Sequence, residues 1–449
     1  MNLCFSSLRL GAVLASLSSL SAGTAQTSRT PQCLCRPCPD NEAPPRTWRL
    51  VVLGSSTAAG AVAPSYAGSW AGLLTAAIRS KGVAVLNASV NGTRTASSLE
   101  RFDRDVAPLA PDFVVLATSV MNESPFGDFP SLRRTYTQNT RLLIARVRAI
   151  GAIPIVVTPY PSDALNPALR QQMLEIAREF EAEGVTVWDF WHAMDDGAGR
   201  WLPGLSDDGV HVGLVGHLHL FESIPLGFFD FALTPFRPLP PRQGFGSWIA
   251  APGSAPPPAI QVTPASAAPS WSAAFWTRAG RDSEAKALLE IAGPGASLRR
   301  TGKRYELLLS GEVVTAGEAS ESPDFQHICL TYQALSGTLT LYVNGARAGG
   351  VAATGAAPAR RFTWGPTSLS PGIAGESFSQ ILIYRSPLRL EDIRELATGR
   401  TPSSSLEAFL PLGQAPAHPN QNAAPTVVEI LITGEWLWAP DGPRVLAVQ

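Results

Sequence analysis

Between Trp48 and Phe231, short continuous apolar runs alternate with longer stretches whose apolar positions recur at helical spacing. The runs Arg49–Leu53, Val83–Leu86, Phe113–Leu116, Ile153–Thr158 and Val185–Phe190 are candidate strands. None of them alternates apolar with polar, which is the pattern of strands covered on both faces of a parallel sheet. Trp70–Arg79 places Leu73, Leu74, Ala77 and Ile78 at helical spacing, and Ser131–Ala149, Pro167–Glu183 and Gly213–Glu222 read as helices on the same ground. This alternation predicts a three-layer α/β region, residues 48–234, built on a mostly parallel sheet.

The texture changes after Phe236. Pro235, Pro238, Pro240 and Pro241 mark a stiff boundary, and Ala255–Ala268 is rich in proline, alanine and serine, so 235–268 reads as a linker. Beyond it the apolar runs are short: Trp271–Arg278, Lys286–Ile291, Tyr305–Leu309, His327–Tyr332, Thr338–Val343 and Phe378–Tyr384. Turn residues separate them, and Asn344-Gly345 is a strong hairpin signal. The expectation is an all-β sandwich over 269–449, with Leu390–Ala397 its single helical stretch.

Length and composition narrow the picture. A chain of 449 residues exceeds one ordinary core, and its 45% apolar content is ample for two. The formal net charge of -1 gives no footprint for nucleic acid or another polyanion. Met1–Ala25 has an apolar stretch after Arg9 and small residues at its end, the features of a cleaved secretory signal peptide. It is shorter than the roughly 20 apolar residues that cross a bilayer, and no other span is found, so the mature chain is expected to be secreted or held at the cell surface. Residues 26–47 form a Cys/Pro-rich linker. Cys4 leaves with the leader, and Cys33, Cys35, Cys38 and Cys329 remain for disulfide chemistry, which an exported protein favours over a zinc site; their pairing stays open.

The candidate chemistry falls where an α/β sheet binds ligands, beyond the carboxyl ends of its strands. Gly54-Ser55-Ser56-Thr57 follows the first run, Asn91-Gly92 the second and Asn122 the third, and Asp208-Gly209-Val210-His211 precedes the last helix. A serine hydroxyl is a weak nucleophile at neutral pH and needs a base, which needs a third group to hold its tautomer. Ser56, His211 and Asp208 supply these parts, the three-residue spacing favouring Asp208 over Asp207. Taken singly, each has a plainer reading: a helix cap, an ordinary packed histidine, an asparagine serving loop backbone. Their joint occurrence favours catalysis. His217 and His219 fall on different helix faces and do not suggest a shared metal, and His192, Asp195 and Asp196 read as a solvated loop.

At these residues the chain resembles the SGNH (GDSL-type) serine hydrolases. Gly54-Ser55-Ser56 resembles the first block, with Ser55 in place of the usual Asp. Leu86–Gly92 resembles the second. Ser119–Glu123 stands where Gly-x-Asn-Asp is expected, and Asp208–His211 matches the last block in full. The resemblance implies a flavodoxin-like fold, a Ser56–His211–Asp208 triad and an oxyanion hole from the Ser56 and Gly92 N–H groups and the Asn122 amide. His327–Tyr332 followed by Thr338–Gly345, then Ser379–Tyr384 and Leu388–Thr398, resembles the laminin-G-like, concanavalin A-like jelly rolls. Such folds often bind carbohydrate, and Trp271, Trp276 and Trp364 are either stacking platforms or core. No cofactor is expected and no calcium loop stands out in the sandwich. Together these readings imply an exported esterase acting on small acyl, chiefly acetyl, esters of a small molecule or polysaccharide. A lipase or lysophospholipase is the enzymatic rival, and a non-catalytic glycan-binding or adhesion protein the other. Acyl length, alcohol and oligomeric state are not legible in the sequence.

Overall fold

The computed structural model describes residues 47–123, 128–163, 167–231, 246–279, 285–318, 324–365, 375–413 and 422–443. The expected leader, Cys33, Cys35, Cys38 and the boundary from Pro235 to Pro241 lie outside the described residues. Strands β1 (Trp48–Gly54), β2 (Val83–Asn87), β3 (Phe113–Ala117), β4 (Ile153–Val157) and β5 (Thr186–Trp188) form one sheet in the order β2-β1-β3-β4-β5. The pairs β1–β3, β3–β4 and β4–β5 are parallel. The helices between and after them are α1 (Ser56–Ala59), α2 (Trp70–Ile78), α3 (Thr95–Asp105), α4 (Phe129–Ala149), α5 (Pro167–Ala182), α6 (Leu214–Glu222) and α7 (Phe228–Phe231).

Alternate residues of the central strands serve opposite faces, as a period of two requires. Val51, Leu53, Val114, Leu116, Val156 and Val187 share a core with residues of α3, α4 and α5 such as Phe102, Leu143 and Phe180. On the other face Phe113 and Trp188 meet Phe228 and Phe229 edge to face, and α2 packs against α6. Each fully buried side chain of this kind contributes about 1.5–3 kcal/mol. The three-layer expectation is met.

Two local expectations are corrected. β2 is an edge strand on which only Val83 is fully buried, so an apolar run there does not mean cover on both faces. Helix α3 escapes the periodicity reading because its buried face is Thr95, Ser98, Arg101 and Phe102, largely small or polar residues.

Two antiparallel sheets follow. Their strands are β6 (Ser247–Ala250), β7 (Ala259–Thr263), β8 (Trp271–Arg278), β9 (Lys286–Ala292), β10 (Ala296–Thr301), β11 (Arg304–Leu309) and β12 (Glu312–Glu318). They continue with β13 (Gln326–Gln333), β14 (Thr338–Val343), β15 (Ala346–Ala352), β16 (Arg361–Trp364), β17 (Ser377–Tyr384), β18 (Leu406–Leu410), β19 (Glu429–Thr433) and β20 (Trp436–Ala439). The first sheet runs β12-β11-β10-β9-β16-β7-β19 and the second β15-β14-β13-β8-β17-β6-β20, with β18 paired to β17. Helix α8 (Leu390–Thr398) is the helical stretch expected there. Asn344 and Gly345, at φ 50° and 77°, turn the β14–β15 hairpin.

The sandwich begins earlier than the sequence pattern suggests. β6 and β7 lie inside the stretch assigned to a linker, and Trp248, Ile260 and Val262 are fully buried in the core between the sheets. Proline-rich flanks hid two short strands. Trp271, Trp276 and Trp364 are buried, so none of them is a platform for sugar. Cys329 is a free thiol buried on β13, packed among apolar side chains, and takes part in no disulfide.

Candidate active site

The nucleophile position is set by the end of β1. The chain leaves the strand at Gly54, where a Cβ would stand 2.5 Å from the Ala58 Cβ and 2.6 Å from the Ala117 carbonyl, so only glycine lets α1 start so close to β3. Ser55 N–H donates to that carbonyl at 3.2 Å. Ser56 then opens α1, and the preceding Ser55 side chain does not cap it. A first-turn N–H has no intrahelical acceptor, so the Ser56 N–H is free of helix bonding and available for a ligand oxygen. Ser55 itself is fully buried, where the resemblance leads one to expect an Asp.

Ser56 Oγ lies 3.0 Å from His211 Nε2, and His211 Nδ1 lies 2.7 Å from Asp208 Oδ2. A carboxylate can only accept, so the ring proton sits on Nδ1 and the Nε2 lone pair faces the serine hydroxyl. The other Asp208 oxygen accepts the backbone N–H groups of His211 at 2.7 Å and Val210 at 2.8 Å. These bonds, chiefly the backbone and side-chain bonds from His211, hold the Asp208 carboxyl well below the usual carboxylate range although the group is half-exposed. Asp207 is exposed beside it.

The carbonyl of Gly209, within the same turn, accepts from Ser162 Oγ at 3.1 Å, Asp163 N at 3.0 Å and Trp201 Nε1 at 3.1 Å. The Trp201 ring stacks on Tyr160, with centroids 5.8 Å apart. The Tyr160 hydroxyl accepts from Thr57 Oγ1 at 3.1 Å, next to Ser56. Sequence reading did not single out this set, because Tyr160 and Trp201 are widely separated along the chain.

The second and third blocks border the same end of the sheet. Asn87 donates to the Ala58 carbonyl at 2.8 Å, tying β2 to α1, and Gly92 turns at φ 69° with open space where a side chain would project. Asn122 uses one amide hydrogen on the Thr93 carbonyl at 3.1 Å, and the amide has a second to offer. Glu123 accepts the Thr95 N–H at 2.9 Å and so anchors the start of α3.

His217 and His219 have separate partners, the Ala61 carbonyl and Glu222 respectively. The loop read as solvated is corrected, except at exposed Asp196. His192 and Asp195 are buried. His192 Nδ1 lies 2.6 Å from Asp189 Oδ2 and its Nε2 lies 2.7 Å from Asp392 Oδ2, a residue of α8 in the sandwich. Asp392 also pairs with Arg178 at 3.1 Å. Burial alone would lower the His192 pKa, and the two carboxylates reverse that and raise it to about 10. Asp195 pairs with Arg389, which also stands over the Trp191 ring at 5.7 Å. Both partners lie about 200 residues away, beyond the reach of any local pattern. A cavity of about 20 Å³, the size of one water, lies beside His192 and Asp392.

Residues 52–218 match the family model of the GDSL-like Lipase/Acylhydrolase family, and residues 257–394 match that of the Concanavalin A-like lectin/glucanases superfamily. No curated protein matches the sequence. Among solved structures, a putative lipolytic protein of the G-D-S-L family from Desulfitobacterium hafniense is 19% identical, covers 39% of this chain and 97% of its own, and superposes with a TM-score of 0.34. A catalytic mutant of an acetylxylan esterase from Geobacillus stearothermophilus is 18% identical, with 39% and 90% covered and a TM-score of 0.33. A putative carbohydrate binding protein from Bacteroides ovatus is 14% identical, with 42% and 60% covered and a TM-score of 0.33.

Proposed function

We propose that this chain, a GDSL-like lipase/acylhydrolase region followed by a concanavalin A-like one, is an exported serine esterase that removes short acyl groups, acetyl above all, through an acyl-Ser56 intermediate. That it is a carboxylic ester hydrolase follows from the family match over 52–218. The observation that carries the mechanism is the unbroken hydrogen-bond chain Ser56–His211–Asp208. In the acylation step Ser56 Oγ attacks the ester carbonyl while its proton passes to His211 Nε2. The C–O bond to the alcohol then breaks and the alcohol leaves with that proton. Water, deprotonated by His211, hydrolyses the acyl-serine and restores the hydroxyl. Asp208 stays ionised throughout and stabilises the imidazolium. The Ser56 and Gly92 N–H groups and the second Asn122 amide hydrogen would meet the oxyanion, and loss of one such donor typically costs about 10² to 10³ in rate.

Export rests on the leader-like Met1–Ala25. A carbohydrate as the alcohol rests on the family match of the sandwich over 257–394, since its tryptophans Trp271, Trp276 and Trp364 are core. A second reading, a lipase or lysophospholipase, is favoured by one feature. Val62, Tyr66, Val210 and Leu214 are exposed on the segments that carry Ser56 and His211, and the Ala61 N–H, next to Val62, donates to the Ser56 carbonyl at 2.9 Å. Exposed apolar side chains gathered beside a site suit an apolar ligand. Hydrolysis of p-nitrophenyl esters from acetate upward, by wild type, Ser56→Ala and His211→Ala, decides among these. Fast acetate turnover lost in both variants is expected. A maximum at long chains supports the lipase reading, and an inactive wild type leaves a binding protein on a hydrolase scaffold.

A further inference from the structure

The segment from Asp189 to His211 is held at both ends. Its far end carries Asp208 and His211. Its near end is gripped from the sandwich: Asp392 binds His192, Arg389 pairs with Asp195, and Gln333 Nε2 donates to the carbonyls of His192 and Ala193 at 3.4 and 3.2 Å. Between the ends the segment is continuous in its bonding. Asp195 bridges to Trp201 as an isolated antiparallel pair, Asp195 Oδ1 accepts the Gly199 N–H at 2.6 Å, and the Leu202 N–H donates to the Met194 carbonyl at 2.8 Å. Trp201 then reaches the catalytic turn through its indole N–H to the Gly209 carbonyl, and braces the nucleophile side by stacking on Tyr160.

We propose that the sandwich is a working part of the hydrolase site, with Asp392 and Arg389 as positioning residues that fix the His211 turn through the 189–202 segment and Trp201. The inference rests on the Ser56–His211 reading for its kinetic consequence, though not for its structural one. The hydrolase region itself holds this segment through Thr158, Ser162 and Asp163, which bond Phe190, Gly199, Trp201 and Gly209, so the freedom left is that of the stretch His192–Asp195 between them. Clamping it to a second domain removes that freedom, and alignment between Ser56 and His211 is what the clamp would preserve. Misplacement by about 1 Å can cost a reaction about 100-fold. Asp392, Arg389 and Trp201 make no hydrogen bond to Ser56, so an effect on turnover would travel through the His211 turn or, from Trp201, through its stack on Tyr160, which Trp201→Phe retains.

Asp392→Asn keeps the size of the side chain and weakens the hold on His192. Trp201→Phe keeps the ring stack and removes the indole donor. Each is expected to lower kcat about tenfold per active site titrated with a fluorophosphonate, with KM within about twofold. The double variant should be little worse than either single one, because both cut the same connection. The low-field Nδ1–H proton signal of His211 in the NMR spectrum, which needs no substrate, should broaden or shift in both variants. Unchanged kcat and an unchanged proton signal in folded variants would overturn the proposal, and so would independent, multiplying losses in the double variant. If wild type hydrolyses no ester, the catalytic reading falls, while the proton signal still decides whether the sandwich positions His211.

Discussion

Asp208 divides its work between two oxygens. One accepts the His211 ring N–H, and the other accepts the backbone N–H groups of Val210 and His211, so the carboxylate fixes its own turn while orienting the base. Replacing it by Asn leaves an acceptor for the backbone but offers the ring no charge, and allows the amide to donate and favour the wrong tautomer. Asp208→Asn is therefore expected to lower kcat by about 10³ to 10⁴, while Asp207→Asn, at the exposed neighbour, stays near wild type. Equal losses in the two variants would show that the orienting carboxylate is misassigned. This choice was legible in the sequence, because a three-residue separation within one turn is a local geometry. The surroundings of His192 were not. A histidine followed by two aspartates looks like solvated surface until a second domain brings Asp392 to within hydrogen-bond distance.

At the scale of elements, the site depends on how closely α1 approaches β3. Gly54 has no room for a side chain: the atoms in the way are the Ala117 carbonyl and the Ala58 Cβ, neither of which can swing aside as a long side chain would. Gly54→Ala should cost about 1–3 kcal/mol of stability, as overpacking does, read as a lower urea midpoint, and should displace Ser56 enough to lower turnover further than the stability loss explains. A variant with wild-type midpoint and kcat would mean that α1 shifts freely. Buried parallel strands such as β3 and β4 announced themselves as continuous apolar runs. Helix α3 did not, since Thr95 and Ser98 bury against neighbours without being apolar, and the start of that helix is held by Glu123, a residue from a distant loop. β6 and β7 were masked by the prolines around them, which mark turns as readily as linkers.

For the whole molecule, the His192 cluster makes the order of the two regions a matter of protonation as well as packing. Asp189, Asp392, Arg178, Glu181 and Glu395 surround the ring or its partners. His192 has its pKa raised from 6.5 to about 10. A group raised in the folded state contributes stability that is full below its unfolded pKa and is lost as pH rises through its folded pKa. Asp189 and Asp392 are lowered by the imidazolium against the opposing effect of burial. They contribute above the ordinary aspartate range and lose that contribution as pH falls. Glu181, raised by burial, opposes them on the acid side, so the acid limb mixes signs. Buried tyrosines and Cys329 also titrate only when the chain unfolds, which lowers alkaline stability in any variant. The difference between wild type and His192→Gln is therefore the informative quantity. Removing the imidazolium leaves Asp189 and Asp392 buried without their shared cation, so the variant should be markedly less stable to urea near pH 6. The gap should narrow steadily as pH rises from about 6.5 to 10, the window set by the two ends of the His192 shift. A gap that stayed constant across that range would mean that His192 is held neutral and joins the two regions by hydrogen bonds alone, leaving the charge pairing between them to Arg178 and Arg389.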